Sequence, residues 1–196
     1  PVYSASYEKD GQHGYIDLTV KGGHPLTILV NREIGEQTIS LNEGLLLAQA
    51  YLEEFNFDHM TVFNSAQYDH VGVYSFLYQD GDIRVYSDKI EVKVALDNGD
   101  IIGLTTKDYL ANHRKRDIQE PGISLDEAKD KVNPNVQIME EFLAIIENEI
   151  GEEVLTYEFL GVLDDDTYRI IINAHDGREE KVEKLSGTEV LYSLNE

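Results

Sequence analysis

The pentapeptide Ile39-Ser40-Leu41-Asn42-Glu43 returns with one change as Ile123-Ser124-Leu125-Asp126-Glu127. Each copy is a capping box: a hydroxyl at the helix N-cap and a carboxylate three residues on, each side chain satisfying the other residue's free backbone N–H. About 35 residues after each comes a Tyr-x-Phe triplet, Tyr74-Ser75-Phe76 and Tyr157-Glu158-Phe159. A glycine turn follows in both, Asn98-Gly99 and Asp176-Gly177. Three features in the same order at near-equal spacing define a repeat, and a repeat confines the fold to stacked copies of one supersecondary unit. The opening run Val2-Tyr3-Ser4-Ala5-Ser6-Tyr7-Glu8-Lys9-Asp10-Gly11 aligns, with a one-residue gap, to the strands at Val73–Gly81. The chain therefore reads as a truncated, strands-only repeat at 1–38, a second repeat at 39–113, a linker at 114–122 and a third repeat at 123–196.

Hydrophobic periodicity fills in each unit. Residues 2–36 alternate as an antiparallel meander, with turn chemistry at Lys9-Asp10-Gly11 and Lys21-Gly22-Gly23-His24-Pro25. Leu41, Leu45, Ala48, Leu52 and Phe55 form a stripe at helical spacing, which predicts a helix over 41–55 with one buried face. Strands are expected at 60–67, 71–79 and 83–96, the last closed by Asp97-Asn98-Gly99, and again at 101–105. A short helix over 106–113 precedes the linker. The third repeat opens with a helix through about Val132, followed by strands at 137–146, 154–163, 168–173 and 179–185. Val136, Met139, Leu143, Ile146 and Ile150 also fit helical spacing, so 136–150 supports either element; the repeat assigns it to a strand. The fold class is α+β: tandem repeats, each one helix packed on an antiparallel sheet of three to four strands. The first repeat has no helix of its own before its strands. The sheet face carrying Tyr3, Ala5 and Tyr7, or its opposite, is therefore expected to be buried against a neighbouring repeat or in a homodimer.

Charge narrows the partners. There are 38 acidic and 16 basic residues, a formal net charge of −22. Such a surface repels nucleic-acid phosphates and anionic lipid, and suits a basic protein partner or a cation-rich compartment; acidity of this kind also serves solubility alone. There is no cysteine, which excludes disulfides, thiolate metal sites and a cysteine nucleophile. No apolar run approaches the roughly 20 residues needed to span a bilayer. The sequence opens at Pro1, without methionine and inside a strand pattern, which reads as a fragment whose targeting segment lies elsewhere.

The helix starts Ile39-Ser40-Leu41-Asn42-Glu43-Gly44 and Ile123-Ser124-Leu125-Asp126-Glu127-Ala128, with the late turns Ala95-Leu96-Asp97-Asn98-Gly99 and Asn173-Ala174-His175-Asp176-Gly177, resemble the PepSY family. Longer runs such as Glu152–Gly161 and Asp166–Ala174, in a three-copy arrangement, are similar to the C-terminal region of a family of spore germination proteins built from PepSY units. That resemblance implies an interaction module without catalytic residues. It implies a place in the spore envelope, at the outer face of the inner spore membrane, reached through an N-terminal segment. It also implies a partnership with a cortex-lytic enzyme of the SleB type, which such proteins localise, stabilise or restrain. Gly44 departs from the family's usual alanine and lowers helix propensity.

The residues themselves offer few chemical sites. Asp164-Asp165-Asp166 and Asp97-Asn98-Gly99-Asp100 gather oxygens suited to a hard cation but lack EF-hand spacing, and both read as hairpin tips. The histidines, His13, His24, His59, His70, His113 and His175, form no i, i+4 pair. Glu140-Glu141 and Glu152-Glu153 would suit a carboxylate-based glycan hydrolase acting on peptidoglycan, the alternative function, although an acidic chain produces such pairs by accident. His113-Arg114-Lys115-Arg116 is the one basic cluster, either a docking point for an acidic surface or an exposed linker open to proteolysis. No catalytic, cofactor or metal residues are assigned.

Overall fold

Both capping boxes close as their residue types demand. Ser40 Oγ accepts from the Glu43 amide at 3.2 Å while a Glu43 carboxylate oxygen accepts from the Ser40 amide at 2.7 Å. Ser124 and Glu127 do the same at 3.3 and 2.8 Å. These boxes start α1 (Leu41–Glu54) and α3 (Leu125–Lys129). The structure, a computed structural model, describes residues 1–9 and 11–185. Asp10 of the first expected turn and residues 186–196 of the third repeat lie outside the described residues.

The chain forms two compact units, one of Pro1–Tyr78 with Asp88–His113, the other of Gln79–Ser87 with residues 114–185. In the first unit, β1 (Val2–Lys9), β2 (Gln12–Thr19) and β3 (Pro25–Asn31) form the expected meander. After α1 come β4 (Met60–Tyr68), β5 (Val71–Asp80), β6 (Ile83–Ala95), β7 (Ile101–Thr105) and the short α2 (Lys107–Asn112). Residues 1–38 are not a separate body: β3 pairs antiparallel with β7 through Thr27↔Thr105, Ile28↔Leu104 and Leu29↔Gly103. The apolar side of α1, Leu45, Ala48 and Leu52, packs on Val62, Tyr74, Phe76, Val92 and Leu104. Ile28 is the last strand residue that packs against this core from the meander side. Beyond it the same face is uncovered within the unit, with Tyr3 66% and Tyr7 51% exposed.

The second unit contains the first residues of β6, then α3, β8 (Gln137–Glu147), β9 (Glu153–Leu163), β10 (Asp166–Asn173) and β11 (Glu179–Lys184). β8, β9, β10 and β11 are antiparallel neighbours, and Ile83–Val85 pairs parallel with Leu143–Ile145. Ala128 and Val132 pack on Tyr157, Phe159, Ile170 and Ile172. Residues 137–147 are strand, and a bulge explains their helical look. Register shifts between Ile138 and Glu140, leaving Met139 unpaired and 61% exposed, so the inward parity changes and Ile138 and Leu143 share the helix-facing side. The third-repeat helix is shorter than its pattern. After Lys129 the chain tightens into Lys131–Ala128 and Val132–Lys129 bonds, and Pro134 disfavours helical backbone at Asn133.

Candidate functional site

The repeated motif builds a repeated node. The Thr38 and Ile39 amides both donate to the Leu96 carbonyl, and those of Gly122 and Ile123 both donate to Ala174. Each helix start is thereby tied to the strand end before the glycine turn. The Tyr of each Tyr-x-Phe triplet then reaches the helix start: Tyr74 Oη donates to the Leu41 carbonyl at 2.7 Å, Tyr157 Oη to the Ile123 carbonyl at 2.9 Å. The two phenols differ in reach by two residues, and Gly44 shows why. A Cβ there would lie 2.3 Å from Tyr74 Oη and 2.9 Å from a Leu96 methyl, and Gly72 bounds the same phenol from the other side. Gly44 is thus a slot for a tyrosine, and its low helix propensity is incidental.

In each acidic turn a carboxylate is taken up by a basic side chain. Arg32 forks onto both Asp97 oxygens at 2.8 and 2.7 Å and reaches Asp100 at 3.3 Å. The Arg32 hydrogen bonds, with a further one from the Gly35 amide, hold the Asp97 carboxyl well below its usual range. Asp164 occupies the left-handed region at a hairpin tip, and Asp166 pairs with Lys184 at 2.7 Å. Among the described residues no group of three or more His, Asp or Glu is placed to hold a metal ion. The histidines are dispersed: His70 donates to the Gly35 carbonyl, His13 lies 3.9 Å from Glu8, and the His175 carbonyl sits where Gly122 would carry a Cβ.

One member of each carboxylate pair is held by basic side chains. Glu141 is paired with Lys129 at 2.6 Å. Glu153 accepts from Arg114 at 2.7 Å, from Arg116 at 2.8 Å and from Ser87 at 3.0 Å. These bonds, that of Arg116 foremost, lower its pKa, opposite to what a general acid for glycosidic cleavage needs. The same contacts anchor the segment 114–122 at one side chain. Its backbone is irregular, but the Arg116 side chain is only 6% exposed and is clamped on Glu153 within the second unit.

Two features of the first unit went unassigned from sequence. His113 Nδ1 donates to the buried Asp88 at 2.7 Å, and its ring stacks on Tyr109 and meets Tyr78 edge-on. The dyad resembles a catalytic His–Asp pair, yet the histidine ring is packed between aromatic rings, those of Tyr109 and Tyr78. Nearby, at the C-terminal end of α1, lies a cavity of 560 Å³ floored by Leu52, Phe57 and Phe76 and rimmed by Glu53, Asp58 and His59. Tertiary folding brings its walls together. The one signal in the sequence is that α1 ends Glu53-Glu54 without a lysine or arginine anywhere in the helix.

Helix-on-sheet repeats, each closed by its own copy of this node, define the class of protein, a tandem PepSY-type module. Residues 1–119 match the PepSY1 and PepSY2 domains of YpeB sporulation proteins. The chain is 61% identical over 193 residues to the sporulation protein YpeB of Oceanobacillus iheyensis, covering 98% of this chain and 43% of the relative. It is 48% identical over 196 residues to that of Bacillus subtilis, covering 97% of this chain and 43% of the relative. The solved C-terminal domain of Bacillus megaterium YpeB superimposes with a TM-score of 0.89 at 48% identity, covering 95% of this chain and 84% of that one. The chain belongs to the YpeB family of sporulation proteins. It spans less than half the length of these curated relatives, and none of the names denotes an enzyme.

Proposed function

We propose that this chain is a non-catalytic interaction module of a spore-envelope germination protein, acting at the outer face of the inner spore membrane to localise, stabilise or restrain a cortex-lytic hydrolase of the SleB type. The observation that carries the reading is where the polar groups are used. One acid of each pair that would suit hydrolysis, Glu141 of Glu140-Glu141 and Glu153 of Glu152-Glu153, is bound to Lys129 and to Arg114 and Arg116 respectively, and the repeated tyrosines bind backbone carbonyls. Chemistry is thus invested in holding a scaffold, while a net charge of −22 favours a basic protein partner over nucleic acid or anionic lipid. The test is a pull-down of the purified hydrolase by this chain across a salt series, alongside an assay for muropeptide release by the chain alone. Salt-sensitive capture without turnover is the expected result. Release of muropeptides that is lost on substituting one carboxylate overturns the reading in favour of a glycan hydrolase.

A further inference from the structure

We propose that the cavity at the C-terminal end of α1 is the docking site for an apolar side chain flanked by lysine or arginine, presented by the protein partner; this deepens the reading of the chain as an interaction module and rests on it. Leu52, Phe57 and Phe76 give the floor, and 560 Å³ falls in the range of roughly 300–1,000 Å³ typical of ligand pockets, ample for a leucine or phenylalanine side chain. The rim supplies the flanking preference. Glu53 and Asp58 line it and no lysine or arginine does.

The placement of those charges is unfavourable for the isolated unit. The carbonyl end of a helix carries partial negative charge, so cations stabilise it and anions do not. Glu53 and Glu54 nevertheless occupy the last turn of α1, that turn holds no basic residue, and Asp58 follows four positions on. Among the described residues none of the three is ion-paired with a lysine or arginine, whereas Asp97, Glu141, Glu153, Glu158 and Asp166 all are. The wall of the cavity is also held in a costly shape: His59, which lines it, lies in the left-handed region at φ 60°, as does Asn56 beside Phe57 at φ 58°. An incoming cation completes the helix end, and an apolar anchor between two cations fills the floor. An acidic or uncharged segment gains only the second of these.

The probe is acetyl-Lys-Phe-Lys-amide, titrated into the isotope-labelled 196-residue chain and followed by amide chemical shifts. Shifts are expected at Phe57, Asp58 and His59, weakening with added salt, and absent with acetyl-Glu-Phe-Glu-amide. Replacing Glu53→Gln and Asp58→Asn together should weaken binding roughly tenfold, about threefold for each exposed charge pair lost. The same double variant should melt at a higher temperature than the native chain, which shows that weaker binding is not a folding defect. Shifts confined to other surfaces, equal binding of the glutamate peptide, or unchanged binding by the double variant overturns the proposal. The purified hydrolase separates this inference from the function it rests on. Capture by native chain and double variant alike refutes the cavity as its dock and leaves the functional reading standing. Failure to be captured by the native chain refutes the functional reading, and the peptide titration still decides what the cavity accepts.

Discussion

Replacing Gly44 by alanine is the sharpest test of how the repeat node works. In an exposed helix interior the change stabilises by about 1 kcal/mol, because glycine loses more backbone entropy on folding. Here the new methyl meets Tyr74 Oη at 2.3 Å and Leu96 Cδ2 at 2.9 Å, and the phenol is fully buried with its bond to Leu41 O. Overpacking of this kind costs about 1–3 kcal/mol, and displacing the buried hydroxyl from its bond to the Leu41 carbonyl costs about 1–3 kcal/mol more. Setting these against the helix gain, Gly44→Ala should destabilise by about 1–5 kcal/mol, lowering the thermal midpoint by about 2–4 °C per kcal/mol for a chain of this size. Urea denaturation of Gly44→Ala, Tyr74→Phe and the double variant forms a cycle. Tyr74→Phe removes the atom nearest the methyl, so the double variant should be more stable than the two single losses predict, with a coupling of about 1–2 kcal/mol. A Gly44→Ala chain at or above native stability, or strictly additive losses, refutes the slot.

Two further outcomes follow from the charge contacts. The Asp97 carboxyl is depressed by Arg32 below its ordinary 3.8, so the pair's stability is present above that pH and is lost as the pH falls through the folded-state value; Arg32→Gln should cost stability at neutral pH, with the gap to native closing in strong acid, as read by urea midpoints from pH 7 to 2. A gap independent of pH would show that Arg32 acts through packing alone. Glu153→Gln weakens the clamp on Arg116, so limited trypsin digestion followed by mass spectrometry should find the bonds at Arg114–Arg116 cut several-fold faster than in the native chain; equal rates would mean that this stretch is held by other contacts.

The extent to which the fold was legible in sequence depended on whether the information was local. Capping boxes, glycine turns and two-residue alternation are local, and α1, the meander and β9 and β10 follow their patterns closely. β8 was ambiguous because a bulge at Met139 shifts its parity mid-strand, so a period-2 pattern mimics a helical one; the repeat resolved what periodicity did not. The length of α3 depended on Pro134 and on tight turns after Lys129, which a capping signal at the other end does not report. The partners of Glu153, from 37 to 66 residues away in sequence, were invisible for the same reason, as was the role of Gly44 opposite Tyr74. The cavity at the end of α1 combines residues from a helix, a loop, β4 and β5, and only its unbalanced acidic helix end was written in one place.

The two full repeats act as controls for one another, and their difference bears on where a partner would bind. Both begin with the same box and the same ties, so their helix starts are held alike. Their helix ends are not. α3 stops after five residues with Lys129 in its last turn, and that lysine is bound to Glu141 of β8, so the end is neutralised within the unit. α1 continues to fourteen residues, ends in Glu53-Glu54 with no cation, and has a cavity beside that end. If the acidity served solubility alone, the two ends would have no reason to differ, since a solvated charge is equally effective on any exposed position. A charge set where it opposes the helix, beside apolar residues that line a recess, is more economically explained as the half of an ion pair whose other half comes with a partner. On this argument the second copy is chiefly scaffold and the first is the recognition unit, so substitutions at Glu53 and Asp58 should affect partner capture where equivalent charge removal at Asp130, just past the end of α3, does not.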